Sequence, residues 1–428
     1  MSNEQIFSNL VAKSTTEFFE ITSAIYNTAN HDYVESFQQK MYATGGTINI
    51  KIPGSPEVER GLTVTATAIQ DLVVPYTITE QDIISVTRNL NSDEDLFNII
   101  PSDKAITKTD EQAIVDNYGF PAYQALAETI ETDCIDRLLV NSYLTPIDGI
   151  EKLQPLNNWN AMASIDTMAT TLNLKRTDRA MMMNMFDAQN VAASLQNMFN
   201  ESINKKITDQ AYVGGSAAKG MLAGMDLFRS EFLLQHTAGP LGLANLQGAT
   251  VSNVSADGTQ ITITGVTHST AILVNKGDMI SIPSVFLVNQ VGHRTIPYRL
   301  VIKASADAVG DGAGNVVVTV PYPLMASGEH QNVASLPANS APVAFYPSYN
   351  QNYMYTKSGL SVVPLRMPPI YGATNSESTN KSAKGGKGFP VHVVMQGAAL
   401  SLSNNYRTYA MVGKQAFSPY LLSVPSSI

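Results

Sequence analysis

The sequence predicts an α+β protein that carries an all-β insert and associates with copies of itself. Three observations carry that reading: a long helical stripe from Pro121 to Leu144, strand-like alternation starting at Thr47, and a strongly β composition from about Glu231 to Phe345. At 428 residues the chain implies about two or three domains, and its 44% apolar residues are enough to fill real cores. Charged residues make up 15%, against about 25% in an ordinary soluble domain. Burial of surface by other copies of the chain explains the deficit, because interface cores are depleted in charge. A monomer surface rich in Ser, Thr and Asn satisfies the composition equally well.

Residues 2 to 26 predict an amphipathic N-terminal helix. Ser2 and Gln5 stand at capping-box spacing, and Ile6, Phe7, Leu10, Val11, Phe18, Ile21 and Ile25 form one stripe. The start, MSNEQIFSNL, has neither a basic opening nor an apolar block, so a cytosol-like compartment is expected. No apolar run approaches the roughly 20 residues of a membrane helix.

From Thr47 the period is two. Ile48, Ile50 and Ile52 alternate with Asn49 and Lys51, Pro53 to Pro56 turn the chain, and Leu62, Val64, Ala66 and Ala68 alternate with threonines. The expected product is a long two-stranded arm. An isolated hairpin is marginal in water, so the arm must lie on its own core or on a neighbour. Leu72 to Ile78 is a further apolar run, and Asp93, Glu94 and Asp95 form an acidic patch read as a solvated loop or helix start.

The long helix follows. Tyr123, Leu126, Ala127, Ile130, Cys134 and Leu138 share its apolar side, while Glu128, Glu131, Asp133, Asp136 and Arg137 take the polar one. Between 155 and 230 the pattern is helix, strand, helix. Met162, Ile165, Met168, Ala169 and Leu172 make a helical stripe, and Ala180 to Met183 a buried strand. Asp187 is then expected to cap a helix bearing Val191, Leu195, Met198 and Phe199. With no His or Cys nearby, Met181, Met182, Met183 and Met185 read as core packing.

Within the β-rich stretch, short runs at Thr250–Val254, Gln260–Val266, Met279–Ile282, Tyr298–Lys303 and Asn315–Val320 are separated by turn signals at Asp257-Gly258, Lys276-Gly277-Asp278 and Gly310 to Gly314. The glycine-rich run leads into another strand, so a hairpin loop is expected and not a phosphate cradle. Strands are expected again at Tyr353–Tyr355, Leu360–Leu365, Val391–Met395 and Tyr406–Val412. A flexible exposed loop, Gly372 to Gly388, holds Lys381, Lys384 and Lys387.

Chemistry-bearing patterns are sparse. The six histidines have no paired-ligand spacing, no GxSxG elbow occurs, and Cys134 falls on an apolar helix face. The reading is therefore no enzyme, no cofactor and no metal. A formal net charge of −9 argues against an overall basic nucleic-acid binder.

The order of elements resembles the HK97-type major capsid protein fold of tailed double-stranded DNA phages. More closely, it is similar to the coat proteins of short-tailed Salmonella phages, whose capsid fold carries an inserted β-barrel domain. The stretches that carry the resemblance are Leu222 to Ser230, before the insertion; Ala180 to Asn184, with Met185 where that family has proline; Lys276 to Ile282; Tyr353 to Pro368; and Arg407 to Gly413 with Pro419. The likeness covers nearly the whole chain in order. The family's insert carries a long loop that reaches a partner, whereas the Val254 to Gln260 connection is short; the segment from His236 to Gly248 is the alternative place for such a contact.

The resemblance implies an HK97-like capsid fold in five parts: an N-terminal helical arm over 1–40, an extended β-arm over 41–78, and a peripheral domain over 79–154 with the 121–144 helix as spine. A mixed α/β axial domain over 155–230 plus 346–428 and an inserted β-barrel over 231–345 complete it. It implies a major capsid protein assembling as hexamers and pentamers into an icosahedral shell, first as a precursor and then expanded around the genome. Portal and scaffolding proteins would be partners, with a possible decoration protein, weak contact with packaged DNA and no membrane. Assembly would occur in the host cytoplasm. Candidate assembly residues are Ile48, Ile50, Ile52, Glu57, Glu59, Arg60, Leu62 and Val64 in the arm, Glu128, Glu131 and Asp136 on the spine, and Gly224, Asp226 and Arg229 at the insert boundary. An encapsulin-type nanocompartment, and an enzyme or carbohydrate-binding protein with a β-sandwich module, are the rival readings.

Overall fold

The computed structural model describes residues 3–22, 24–41, 46–52, 72–79, 82–89, 107–141, 153–157, 159–195, 220–222, 224–366, 374–378, 389–398, 403–417 and 420–427. Ser2, the arm residues 53–71, the acidic patch at 93–95, Met198, Phe199, Lys381, Lys384, Lys387 and Pro419 lie outside them.

Three helices, α1 (Asn3–Thr22), α2 (Ala24–Thr28) and α3 (Val34–Met41), open the chain, followed by strands β1 (Thr47–Ile52), β2 (Leu72–Thr77) and β3 (Ile83–Asn89). Next, α4 (Lys108–Ile114) passes through a π turn, Val115–Gly119, into α5 (Phe120–Asn141). Helix α6 (Trp159–Thr171), β4 (Arg179–Asn184), α7 (Met185–Leu195), β5 (Gly220–Leu222), β6 (Met225–Ser230), β7 (Gln235–His236) and α8 (Pro240–Leu243) come after it. The β-rich stretch holds β8 (Gln247–Val254), β9 (Gln260–Thr264), β10 (Ile272–Val274), β11 (Met279–Val288), β12 (Thr295–Lys303), β13 (Ala308–Val309), β14 (Asn315–Thr319) and β15 (Pro342–Phe345). The closing strands are β16 (Tyr349–Asn350), β17 (Tyr353–Thr356), β18 (Leu360–Leu365), β19 (Thr374–Ser378), β20 (Val391–Ala398), β21 (Ser403–Ala416) and β22 (Leu421–Ser423).

These elements divide into two compact units, one of residues 1–48, 75–134 and 361–415 and the other of 49–74, 135–360 and 416–428. The five segments expected from the sequence are distributed over both.

In the first unit β21 pairs with β18, β20 and β3, and β19 extends the sheet beyond β20. Strand β19 corrects the loop expected from Gly372: Thr374 to Ser378 pair in register with Met395 to Val391. Helix α1 packs on β19 and β20. Its expected stripe is seen in Phe7 and Val11, which are buried with Ala12, Ile114, Tyr118, Val393 and Tyr406. The Phe7 ring meets Tyr118 and Tyr406 edge-on, each at 5.5 Å. The start of α4 is a capping box of Thr107 and Asp110, a pattern that satisfies two otherwise orphaned donors. Pro121 sits at the second position of α5 without breaking it. Having no N–H, it leaves the Asn117 carbonyl short of its usual helical donor, and Arg88 Nη1 donates there at 3.0 Å.

Helix α5 spans nearly the predicted range, and its stripe from Tyr123 to Leu138 is buried as expected. Glu131 corrects the polar side: it is buried, at 7% exposure, while Glu128 and Asp136 are exposed. Three positions beyond Glu128, it lies over the flank of the stripe between Ile130 and Cys134. The described partner of β1 is β2, in a two-stranded sheet; the second arm strand expected at 62–68 lies outside the described residues. Along β1 the alternation holds, with Ile50 and Ile52 buried within the single chain and Thr47, Asn49 and Lys51 exposed.

The second unit contains a five-stranded sheet of order β22-β17-β4-β6-β5, in which β4 and β6 run parallel, and a six-stranded antiparallel sheet of order β12-β11-β15-β8-β9-β14. Every residue of β4 is buried, as its apolar run predicts. Helix α7 begins directly after it, so Asp187 lies inside the first turn and does not cap; Asn184 Oδ1 accepts the Phe186 amide instead, at 2.9 Å. Met185 likewise leaves the core. It occupies the first helical position, where proline is favoured, and is 46% exposed. Met162, Ile165, Met168, Met181, Met183, Met225, Met354 and Leu422 share one apolar cluster with Val251, Ile263, Ile280, Leu300, Val318 and Phe345 of the six-stranded sheet.

Replacing Phe7 with alanine is expected to cost about 3–5 kcal/mol, read as a lowered denaturation midpoint, because two edge-on contacts and a fully buried ring are lost together.

Candidate functional site

The turn Lys276-Gly277-Asp278, at the head of β11, brings together several buried polar groups of the second unit. Gly277 has φ +94, a conformation costly for any residue with a side chain. A Cβ there would also stand 2.8–3.0 Å from three side-chain carbons of Leu139 on α5. Tyr349 donates its hydroxyl to the Gly277 carbonyl at 2.9 Å. The Asp278 carboxylate, 1% exposed, accepts from His236 Nε2 at 2.8 Å, from the Gly239 amide at 3.0 Å and from the Asn275 amide at 2.8 Å. These contacts satisfy a charge that would be expensive to bury alone. They also fix β7 and the start of α8 against the root of β11.

Deeper in the joint, Lys303 ends β12 opposite Met279. Its amine is buried, donates to Ser423 Oγ at 2.5 Å, and lies 5.1 Å and 5.3 Å from the ring centres of Tyr349 and Tyr353. Tyr353 and Ser423 are direct cross-strand partners on β17 and β22, and the Tyr353 hydroxyl donates to Gln351 Oε1 at 2.6 Å. Burial pushes both tyrosine hydroxyls well above their ordinary range and pulls the Lys303 amine down to about 7.

Of the residues expected to act in assembly, Asp136 meets the turn before β11: it accepts from Lys276 Nζ at 3.3 Å. Glu128 is exposed, and Glu131 is buried. Gly224 makes the β5–β6 turn at φ +76, while Asp226 and Arg229 lie exposed and half-buried along β6. Ile48 is half-buried; Glu57, Glu59, Arg60, Leu62 and Val64 lie outside the described residues. Sequence reasoning named the Lys-Gly-Asp turn but missed Lys303, Ser423 and the two tyrosines. The one signal available was a lysine directly after the apolar run Leu300, Val301, Ile302. Among the described residues no group of His, Cys, Asp and Glu could hold a metal ion, and no helix is long and apolar enough to cross a membrane.

Residues 85–424 match the family model described as "P22 coat protein - gene protein 5". The chain belongs to the P22 coat protein family. It is the major capsid protein of a tailed double-stranded DNA bacteriophage, a structural protein with an α+β, HK97-like fold, and its place is the capsid of the virion. The encapsulin and enzyme readings are set aside by the same match. Among solved structures the coat protein is similar to a chain of Mycobacterium phage Che8, at 12% identity over 94% of this chain and 90% of that one, with a TM-score of 0.42. A capsid structure of the cyanophage P-SCSP1u follows at 11% identity, 89% and 83% coverage and TM-score 0.37. The capsid of Ralstonia phage GP4 matches at 6% identity, 90% and 84% coverage and TM-score 0.38. Likeness at this level adds no argument, and the family match carries the assignment. No curated protein matches.

Gly277→Ala in the coat protein is expected to lose at least about 2 kcal/mol, from left-handed strain plus the clash with Leu139. In urea unfolding, a Leu139→Ala background should relieve the clash but leave the strain, so the two changes will not add.

Proposed function

We propose that this coat protein closes an icosahedral shell of hexamers and pentamers through many weak, repeated interfaces, first around a scaffold and then, expanded, around the genome. The observation that carries this reading is the apolar surface left uncovered on a single chain of low charge. Phe186 is 72% exposed, Leu234 70% and Leu243 62%, and large apolar side chains left in water are the usual mark of surfaces that a partner covers. Interface cores are also depleted in the charged residues this chain lacks.

In this reading the arm starting at β1 and the exposed side of α5, with Glu128 and Asp136, contact neighbouring subunits or the scaffold. The boundary residues Gly224, Asp226 and Arg229 set where the insert leaves the axial domain. Portal and scaffolding proteins are the partners, with a decoration protein possible on the outer face. The net charge of −9 suits a lining that repels DNA and keeps its contact with the packaged genome weak. We assign the six-stranded sheet to the barrel insert of the family. In support, the Ser305 amide, just beyond β12, donates to the Thr319 carbonyl at the end of β14 at 2.9 Å, joining the two outermost strands of the ladder.

Purified full-length chain co-expressed with a phage scaffolding protein is expected to give closed particles in size exclusion and negative stain. A discrete small oligomer under all conditions would sink the shell geometry proposed here. Charge reversal at Glu128 is expected to leave monomer stability within about 0.5 kcal/mol while changing particle size or yield. Unchanged particles would remove the spine helix from the interface.

A further inference from the structure

A buried lysine without a carboxylate is unusual, because the ammonium loses its hydration and gains no opposite charge. Lys303 is 1% exposed, and among the described residues no carboxylate oxygen lies within 4 Å of its amine. Among the described residues its one hydrogen-bond partner is Ser423 Oγ, at 2.5 Å, on strand β22. A neutral amine has two N–H groups and a lone pair and can meet a single hydroxyl in one hydrogen bond, as donor or as acceptor, without burying a charge. An ammonium has three donors and finds there one oxygen and two ring faces, at 5.1 Å and 5.3 Å. Cation–π attraction offsets part of the lost hydration, but it does not replace an anion.

The other ionisable groups around the amine are committed elsewhere. Tyr349 and Tyr353 hold their protons and give them to Gly277 and Gln351. Asp278, beyond Tyr349, is held by His236 and two amides, and His236 lies 4.9 Å from the Tyr349 ring. Asp136, which faces Tyr353 from α5, pairs with Lys276.

We propose that Lys303 and Ser423 form a proton-operated latch between the six-stranded sheet and strand β22: the neutral amine holds the strand, and proton uptake loosens it. The proton comes from solvent and resides on Nζ; no covalent bond forms or breaks. Because the folded amine titrates at about 7 and the free one at 10.5, the unfolded chain binds the extra proton between those values. Stability therefore rises with pH from about 7 upward, by as much as about tenfold in the folding constant per pH unit. Below about 7 both states carry the proton and that slope ends. Above pH 10 the two tyrosines reverse the trend, so the informative window is pH 7–9.

The test uses the purified full-length chain and two measurements, urea unfolding and hydrogen exchange of residues 421–424 corrected for intrinsic rates. Wild type is expected to gain stability across pH 7–9 and to lose protection at 421–424 by about thirtyfold at pH 6 relative to pH 8.5, as one coupled proton titrating at about 7 requires. Lys303→Met keeps the volume and removes the titration, so both responses should flatten. Equal responses in Lys303→Met and wild type would overturn the latch. Should that variant not fold, Ser423→Ala keeps the amine but removes its partner. Protection at pH 8.5 should then fall to the wild-type value at pH 6 while the stability slope persists, and unchanged protection would overturn the proposal.

Discussion

The second unit depends on one apolar core shared by two sheets of different kinds. Met183, Met225 and Met354 of the mixed sheet and Ile280, Leu300 and Val318 of the antiparallel one belong to a single cluster. Neither face can be wetted without exposing the other, so any polar group at the joint must bring its partner with it. Asp278 does so with an imidazole and two amides, and Tyr349 and Tyr353 with a carbonyl and a side-chain amide oxygen. The six-stranded sheet is consequently not a bead on a string: β11 is tied at its root to β7, α8 and β16, and β12 ends on the closing strand β22.

Much of this was legible in the sequence because periodicity reports burial directly. The stripes of α1 and α6, the fully apolar β4 and the alternation in β1 each translate into the observed element. Turn chemistry located Asp257-Gly258 and Lys276-Gly277-Asp278, where glycine takes positive φ. What failed to show was whatever depends on partners distant in sequence. Thr374 to Ser378 read as loop because Ser, Asn and Glu are poor strand formers, yet the strand is made by backbone pairing with β20. Glu131 looked polar because it is charged, and Asp187 looked like a cap because it stands early in a helix. Asp187 in fact accepts from Asn352 and Ser426, more than 160 residues away in the chain.

The candidate site was half visible for the same reason. A Gly-Asp turn has a local signature, so its position could be read. The groups that complete it, His236, Lys303, Tyr349, Tyr353 and Ser423, come from five different strands and share no local motif. Asp136 lies exposed on α5, and its pairing with Lys276 is a surface contact. Such pairs are worth about 0–1 kcal/mol, so it orients the turn more than it stabilises it.

Two buried basic side chains among the described residues of this unit show why pH sensitivity concentrates where it does. Arg179 enters the core behind α6 and spreads its guanidinium over Asp166, Thr170 and the carbonyls of Leu174 and Lys175. Burial lowers its pKa while Asp166 raises it, and an arginine so far above neutrality stays charged regardless. It therefore acts as a fixed C-terminal brace for its helix, insensitive to pH. Lys303 is buried as deeply, has one hydroxyl where Arg179 has four acceptors, and is intrinsically able to give up its proton. A charged group with a full set of partners is structural; one with a single partner and an escape through deprotonation is a switch. The difference lies in how many acceptors the surrounding strands present, and β22 presents one.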